Sequence, residues 1–220
     1  MEPKSKPMNI AIYGAGGFGK EVLTLLKDLI SSGVTWNFIG YFDDRDCSGK
    51  LGSLYLGDYH SINNWKEPLA LVFAMGWSHI RKKALAQIQN PMINYPYLIS
   101  PKCIIGDHER IQIGQGSILM AGANLTTDIE VGEFVVININ ATIGHDSKLG
   151  NFTSIMPSVN ISGGVLIEEE VFIGSGTTVL QSISIGSKSI IGAGAVLTKN
   201  LASGVTAVGV PARIIKHSNE

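Results

Sequence analysis

The sequence predicts an α/β Rossmann-like N-terminal domain followed by a mainly-β parallel β-helix, and three observations carry that prediction. An Ile, Leu or Val stands at every sixth position from Ile113 to Leu197, fifteen positions without a break. Ahead of that register, a glycine loop separates a short apolar strand pattern from a helical one. The bulk composition is that of an ordinary globular chain, with 17 Lys and Arg against 18 Asp and Glu and 45% hydrophobic residues over 220 positions.

Met1 to Pro7 is polar and does not lead into a long apolar stretch, so residues 1–7 read as a flexible tail and not as a signal peptide. Asn9-Ile10-Ala11-Ile12-Tyr13 is a short strand. It is followed by Gly14-Ala15-Gly16-Gly17-Phe18-Gly19 and a helix over Lys20 to Leu29, with Val22, Leu25, Leu26 and Leu29 at helical spacing. Trp36 to Phe42 is a second strand ending in Asp43-Asp44, Leu69 to Met75 a third, and Ser78 to Ile88 a second helix. These elements form one domain over 8–96. Gly14, Gly16 and Gly19 fit Gly-x-Gly-x-x-Gly, with the acidic pair at the end of the next strand. Such glycines let a backbone approach phosphate, and the helix start offers free N–H groups. Fewer than ninety residues supply only one mononucleotide half, so the loop points to a nucleotide phosphate more firmly than to hydride transfer. A tight turn in a structural cap has the same pattern.

A six-residue period matches neither an amphipathic helix nor an alternating strand, and requires a repeat in which every unit buries the same position. Glycine follows many of the aliphatic residues, as at Gly114, Gly132, Gly144, Gly150, Gly174, Gly186 and Gly192, and suits a corner. Four residues after the aliphatic comes a second inward position, small or β-branched: Ala123, Val135, Ala141, Thr153, Val159, Thr177 and Ala195. Three units complete a coil of eighteen residues. An earlier phase at Ile99, Ile105 and Ile111 adds a first coil with a bulged corner around His108 to Arg110. The prism over 97–203 then has about six coils and stands roughly 25–30 Å tall at ~4.8 Å per coil. Residues 204–220 read as a tail packed on the last coils.

No Lys/Arg run supports nucleic acid or an anionic membrane, and no apolar run approaches the twenty residues of a membrane span. Cys47 and Cys103 lack metal spacing and read as free thiols, which fits the cytoplasm. Of five histidines only His145 lies within the regular register. It follows inward Ile143 by two, so it projects from a prism edge beside Asp146, as a solvated corner histidine also would. One coil later stand Gly163 and Gly164, and one coil earlier Thr127. A zinc site needing three imidazoles is not met by one.

Ile10-Ala11-Ile12-Tyr13-Gly14-Ala15-Gly16-Gly17-Phe18-Gly19, Phe42-Asp43-Asp44, Ala141-Thr142-Ile143-Gly144-His145-Asp146 and the closing Gly209-Val210-Pro211-Ala212-Arg213 together resemble a known family. It is the sialic acid O-acetyltransferase-like family of left-handed β-helix acyltransferases, which includes N-acetyltransferases of nucleotide-linked 4-amino-4,6-dideoxy sugars of the bacillosamine and perosamine type. The resemblance runs from about residue 8 to 216. It implies acetyl-CoA as donor, a nucleotide sugar held by the N-terminal domain, a homotrimer with active sites between prisms, and no metal.

Amide formation from a thioester needs a proton acceptor for the attacking amine and a donor for the developing oxyanion. His145 is the candidate base, Asp146 its orienting partner and Gly163 N–H the oxyanion donor. Asn138 matches an asparagine of the family motif and is given a supporting role. Gly174, Gly176, Ala193, Gly194, Lys199 and Arg213 are the candidates for acetyl-CoA. Gly14, Gly16 and Gly17 are expected at the diphosphate, with Asp43 and Asp44 at the ribose or uracil. The family's Gly-Asn turn reads Gly76-Trp77 here, and Phe18 replaces a small or polar residue. Both changes bear on the acceptor. Two alternatives stand beside N-acetylation: O-acetylation of sialic acid or a related sugar, and a non-catalytic nucleotide-sugar-binding trimer. Outward Phe134, Val136, Ile139 and Phe172 would leave apolar surface for trimer packing.

Overall fold

The structure, a computed structural model, describes residues 7–217; apart from Pro7 the expected N-terminal tail lies outside the described residues, as do positions 218–220. Two compact units emerge. One contains the residues up to Gly76 together with Ile80–Pro96, and the other Trp77–His79 together with the chain from Tyr97 onward.

The first unit runs β1 Met8–Tyr13, α1 Gly17–Ser31, β2 Trp36–Phe42, α2 Ser48–Leu51, β3 Tyr55–Gly57, α3 Tyr59–Asn63 and β4 Leu69–Phe73; α4 Ser78–Ala86 and β5 Ile93–Asn94 follow. The strands form one parallel sheet in the order β3-β2-β1-β4-β5. Strands buried on both faces read as continuous apolar runs, and Ile10 to Tyr13 and Leu69 to Phe73 are both wholly buried. Helix α1 buries Val22, Leu25, Leu26 and Leu29, the stripe that its spacing predicts. Helix α4 stops at Ala86, two residues earlier than the apolar pattern suggests. Gln87 and Ile88 donate to carbonyls three residues back, and the chain turns at Asn90-Pro91. From β1 the chain moves to β2 on one side and returns as β4 on the other. Sheets of this kind bind ligands where the strand order reverses, here at the C-terminal ends of β1 and β4.

The second unit is a three-faced β-prism. Its first face stacks Leu98–Ile99, Ile118–Leu119, Val136–Ile137, Ser154–Ile155, Phe172–Ile173 and Ile190–Ile191, then Val205–Val208 and, antiparallel, Arg213–His217. The second face stacks Ile104–Ile105, Asn124–Leu125, Thr142–Ile143, Asn160–Ile161, Thr178–Val179 and Val196–Leu197. The third stacks Ile111–Ile113, Ile129–Val131, Lys148–Leu149, Leu166–Ile167 and Ser184–Ile185. Successive coils pair eighteen residues apart, as in Leu125 with Ile143 and Ile143 with Ile161.

The bulged first corner is present. Ile105 pairs with Leu125 and Ile113 with Val131, leaving two extra residues in that corner, where Asp107 accepts from the backbone N–H of Glu109 and Arg110. The last coil is shortened: Ile185 bridges to Leu201 and Ile191 faces Ala207. The segment after 204, read from sequence as a tail, supplies the two strands that close the first face.

The second inward positions, Ala123, Val135, Ala141, Thr153, Val159, Thr177 and Ala195, are all 0% exposed. Hydroxyls are tolerated there because each reaches a corner carbonyl of the next coil: Thr153 Oγ1 donates to Glu168 O at 3.1 Å and Thr177 Oγ1 to Gly192 O at 3.0 Å. The corner glycines need a different explanation from the one the sequence suggested. The left-handed backbone falls on the third residue after the aliphatic, as at Asn140 and Asp146. Glycine directly after the aliphatic is required by stacking, since a β-carbon on Gly144 would lie 2.6 Å from Gly163 N.

The outward apolar set also needs correction. Phe134 and Val136 are each 1% exposed, and Phe134 stacks on Phe152 with ring centroids 5.2 Å apart. Only Ile139, 40% exposed, remains a large free apolar group of the four.

Candidate functional site

His145 stands on the edge between the second and third faces. Its side chain is 66% exposed and that of Asp146 67%, and Nδ1 lies 2.7 Å from Asp146 Oδ2. The corner demands a left-handed residue, and Asp146 fills it at φ +59°, a conformation that Asp accepts more readily than most residues. Backbone bonds tie the pair to both neighbouring coils: Asp146 N–H donates to Thr127 O at 3.3 Å, and Gly164 N–H donates to His145 O at 2.7 Å. An Nδ1–H donated to the carboxylate leaves the Nε2 lone pair free to take a proton. Nε2 overlies Gly163, where a β-carbon would lie 2.5 Å from it. The N–H of Gly163 has no acceptor among the described residues.

The edge between the first and second faces carries a different set. Asn138 is buried there, its Oδ1 accepting from Ile139 N–H at 2.7 Å. Gly174, Gly176, Ala193 and Gly194 follow in the same column. Gly176 and Gly194 are left-handed and face open space, whereas Gly174 is required by its contact with Ala193 N. Arg213 opens its strand opposite Val208, whose side chain covers Gly192 at the end of this edge. Lys199 falls on the His145 edge, three coils along, and so is separated from the other donor candidates. Within one chain the second face therefore lies between the His145–Asp146–Gly163 group and the Asn138–Gly174–Gly194 group. Its outward side chains, Ile104, Asn124, Thr142, Asn160, Thr178 and Val196, are all uncharged. The third face instead holds an ion pair, Lys148 with Glu130 at 2.7 Å, and Arg110 pairs with Asp128 at 2.5 Å on the His145 edge beside it.

In the first unit the loop glycines divide by function. Gly14, at φ +114°, is required by packing, because a β-carbon there would lie 2.8 Å from Ala74 O, and Gly19 is required where α1 meets Gly14 O. A β-carbon on Gly16 or Gly17 would meet nothing within 4 Å. Helix α1 has neither a side-chain cap nor an acidic residue in its first turn, so its free N–H groups keep their positive field.

The two acidic residues are not equivalent. Asp43 is 5% exposed. Its Oδ2 accepts from Ala15 N–H at 2.8 Å and Arg45 Nη2 at 2.9 Å, and its Oδ1 from Arg45 N–H at 3.0 Å and Arg45 Nε at 2.9 Å. Burial alone would raise its pKa, but the hydrogen bonds from Arg45 and Ala15 hold it below the usual carboxylate value. Asp43 therefore orders the glycine loop and has no oxygen free for a ribose. Asp44 accepts from Tyr13 OH at 2.6 Å and Tyr59 N–H at 3.4 Å through Oδ1, leaving Oδ2 without a donor among the described residues. Burial first, then the bond to Asp44, pushes the Tyr13 pKa upward, so the phenol remains a donor.

Two arginines were missed by reading the sequence. Arg45 was detectable only as a base beside the acidic pair. Arg81, 1% exposed, gave no signal at all; its Nη1 donates to Met75 O at 2.6 Å and Gly76 O at 3.1 Å, and burial pushes its pKa down to about 9. It holds the turn after β4. Trp77 lies flat on Phe172, ring centroids 4.2 Å apart.

Among the described residues no group of three or more His, Cys, Asp or Glu could hold a metal ion, and no helix is long and apolar enough to cross a membrane. Residues 9–88 match the PglD N-terminal domain, and residues 164–199 match the hexapeptide repeat of succinyl-transferase. A GDP-perosamine N-acetyltransferase of Escherichia coli O157:H7 is 28% identical over 231 residues, covering 96% of this chain and 98% of that protein. The crystal structure of PerB from Caulobacter crescentus with CoA and GDP-perosamine superposes with a TM-score of 0.84 at 27% identity, over 94% of this chain and 97% of that one. The acetyltransferase domain of PglB from Neisseria gonorrhoeae FA1090 gives a TM-score of 0.86 at 32% identity, over 94% and 99%.

Proposed function

We propose that this chain, which belongs to the family of left-handed β-helix acyltransferases with a PglD-type N-terminal domain, moves acetyl from acetyl-CoA to the amine of a nucleotide-linked 4-amino-4,6-dideoxy sugar. The observation that carries the reading is the His145–Asp146 pair, exposed on the prism edge with Nε2 over the side-chain-free Gly163. The neutral sugar amine attacks the thioester carbonyl carbon directly. As the C–N bond forms, Nε2 of His145 takes the amine proton and Asp146 stabilises the imidazolium. Gly163 N–H donates to the oxyanion. Collapse breaks the C–S bond, and the departing thiolate receives the proton from His145. A positioned base of this kind is worth roughly 10²–10⁴ in rate.

The donor lies along the edge of Gly174, Gly176, Ala193 and Gly194, supported by Asn138, with Arg213 of the same edge, and Lys199 of the neighbouring copy's His145 edge, offered to its phosphates. Because the second face separates that edge from His145 in one chain, the reading places donor and base on neighbouring copies. A homotrimer burying the uncharged second face follows, with active sites between subunits. In the first unit the N–H groups around Gly16 and Gly17 hold the diphosphate, Gly14 shapes the loop, Asp43 orders it, and Asp44 Oδ2 accepts from the nucleoside. Both cysteines are free, which supports a cytoplasmic protein.

The test is CoA release from acetyl-CoA with a panel of UDP- and GDP-linked 4-amino-4,6-dideoxy sugars, wild type against His145→Ala. Turnover on one sugar that falls by about 10² or more in the variant is expected. Turnover on free sialic acid alone would replace the reading with O-acetylation, and no turnover on either would leave a binding protein.

A further inference from the structure

We infer that Arg45 reads the base of the bound nucleotide, donating from Nη1 to a carbonyl oxygen of a keto base, guanine or uracil. The inference rests on the reading that the first unit holds a nucleotide, and it adds a specificity-determining residue that neither the glycine loop nor the acidic pair implies.

The guanidinium of Arg45 is locked. Nε and Nη2 grip both oxygens of Asp43 at 2.9 Å, and the backbone N–H of Arg45 bonds the same carboxylate. Asp43 is 5% exposed and also holds Ala15 N–H of the glycine loop. The Arg45 side chain itself is 75% exposed. An exposed arginine ordinarily samples many rotamers, and fixing it costs rotamer entropy. Here the fixed fork leaves Nη1 without an acceptor among the described residues. Its orientation is tied, through one carboxylate, to the loop expected at the diphosphate.

Position and chemistry then choose the ligand atom. Asp43 to Arg45 directly follow β2, the strand whose end meets the nucleoside in a fold of this kind, while phosphates go to the start of α1. Guanidinium has donors only, so Nη1 requires an acceptor. Neighbouring Asp44 Oδ2 is an acceptor only and requires a donor. Guanine N1–H beside O6, and uracil N3–H beside O4, present that donor next to that acceptor. Adenine and cytosine present the reverse order along the same edge. Charge-assisted bonds favour a carbonyl for the cation and a ring N–H for the carboxylate.

The experiment titrates the whole protein with GDP, UDP, ADP and inorganic pyrophosphate by calorimetry, comparing wild type with Arg45→Met and Arg45→Lys, and a thermal melt of each variant checks folding. In both variants GDP or UDP should weaken by about tenfold or more, the worth of a hydrogen bond to a charged group, with ADP and pyrophosphate unchanged. Lysine should not rescue, because it lacks the planar fork. An equal loss for all four probes would make Arg45 a support of the loop and overturn the inference, as would no loss for GDP and UDP. A loss shared by ADP but not by pyrophosphate would assign the guanidinium to the ring face or ribose, and also overturn it. Failure of wild type to bind either GDP or UDP would instead strike the nucleotide reading beneath it.

Discussion

The imidazole of His145 lies over Gly163: a β-carbon at that position would come within 2.5 Å of Nε2 and 2.6 Å of Cε1. Gly163 has no left-handed backbone, so Gly163→Ala adds one methyl group without adding strain. The ring has to rotate away, carrying Nε2 from its place over Gly163. Turnover should fall by at least about tenfold, in line with loss of part of a base worth 10²–10⁴. The melting temperature should move little. Steady-state CoA release and a thermal melt of one preparation measure both, and unchanged turnover would mean that the ring position is unimportant.

His145 and Ala193 stand on different edges of the same prism, which makes shared sites testable by mixing. His145→Ala removes the proposed base, and Ala193→Trp blocks the proposed donor edge. Each variant alone should be inactive. Unfolding and refolding them together should restore part of the activity, because some sites then combine an intact His145 with an intact donor edge from the neighbour. If each subunit held a complete site of its own, every mixed assembly would remain dead.

Inside the prism, Thr177 Oγ1 donates to Gly192 O at 3.0 Å and is wholly buried. Thr177→Val keeps the shape and removes the donor, so it should lower the unfolding free energy by about 1–3 kcal/mol. Thr177→Ser keeps the hydroxyl and should lose only a methyl group, about 1 kcal/mol. Urea titration distinguishes them. Little or no cost for Thr177→Val beside a loss in Thr177→Ser would show that volume matters there and the hydrogen bond does not.

Asp43 links the glycine loop to pH. Its folded carboxyl titrates below the ordinary value of 3.8, so its contribution to stability is present above that value and is lost as pH falls through the lowered one. Asp43→Asn should melt at a lower temperature than wild type at pH 7, and the gap between the two should narrow below about pH 4. A gap independent of pH would show that charge is not what Asp43 contributes.

How far the sequence could be read depended on whether a feature repeats. Ile143 is inward because every sixth residue must be, and counting two from it puts His145 on an edge, where the structure has it. The seven inward small residues followed from the same periodicity. Local patterns also sufficed for β1, α1, β2 and β4. The short β3, α2, α3 and β5 carry too few residues for a period to register, and the strands after 204 pair only once the last coil has been shortened by two residues.

By itself the sequence determined the two-part architecture, the coil of eighteen residues and the edge position of His145, Asp146 and Gly163, because these follow from burying one position in every repeat. Tertiary structure alone decided which polar groups remain free. Asp43 and Asp44 are neighbours with the same carboxylate, yet one is closed by Ala15 and Arg45 and the other keeps an oxygen. Arg81 became a buried clamp on the turn after β4 in the same way. Hydrogen-bond partners come from segments brought together by the sheet order β3-β2-β1-β4-β5, and spacing along the chain does not encode which lone pairs that order leaves free.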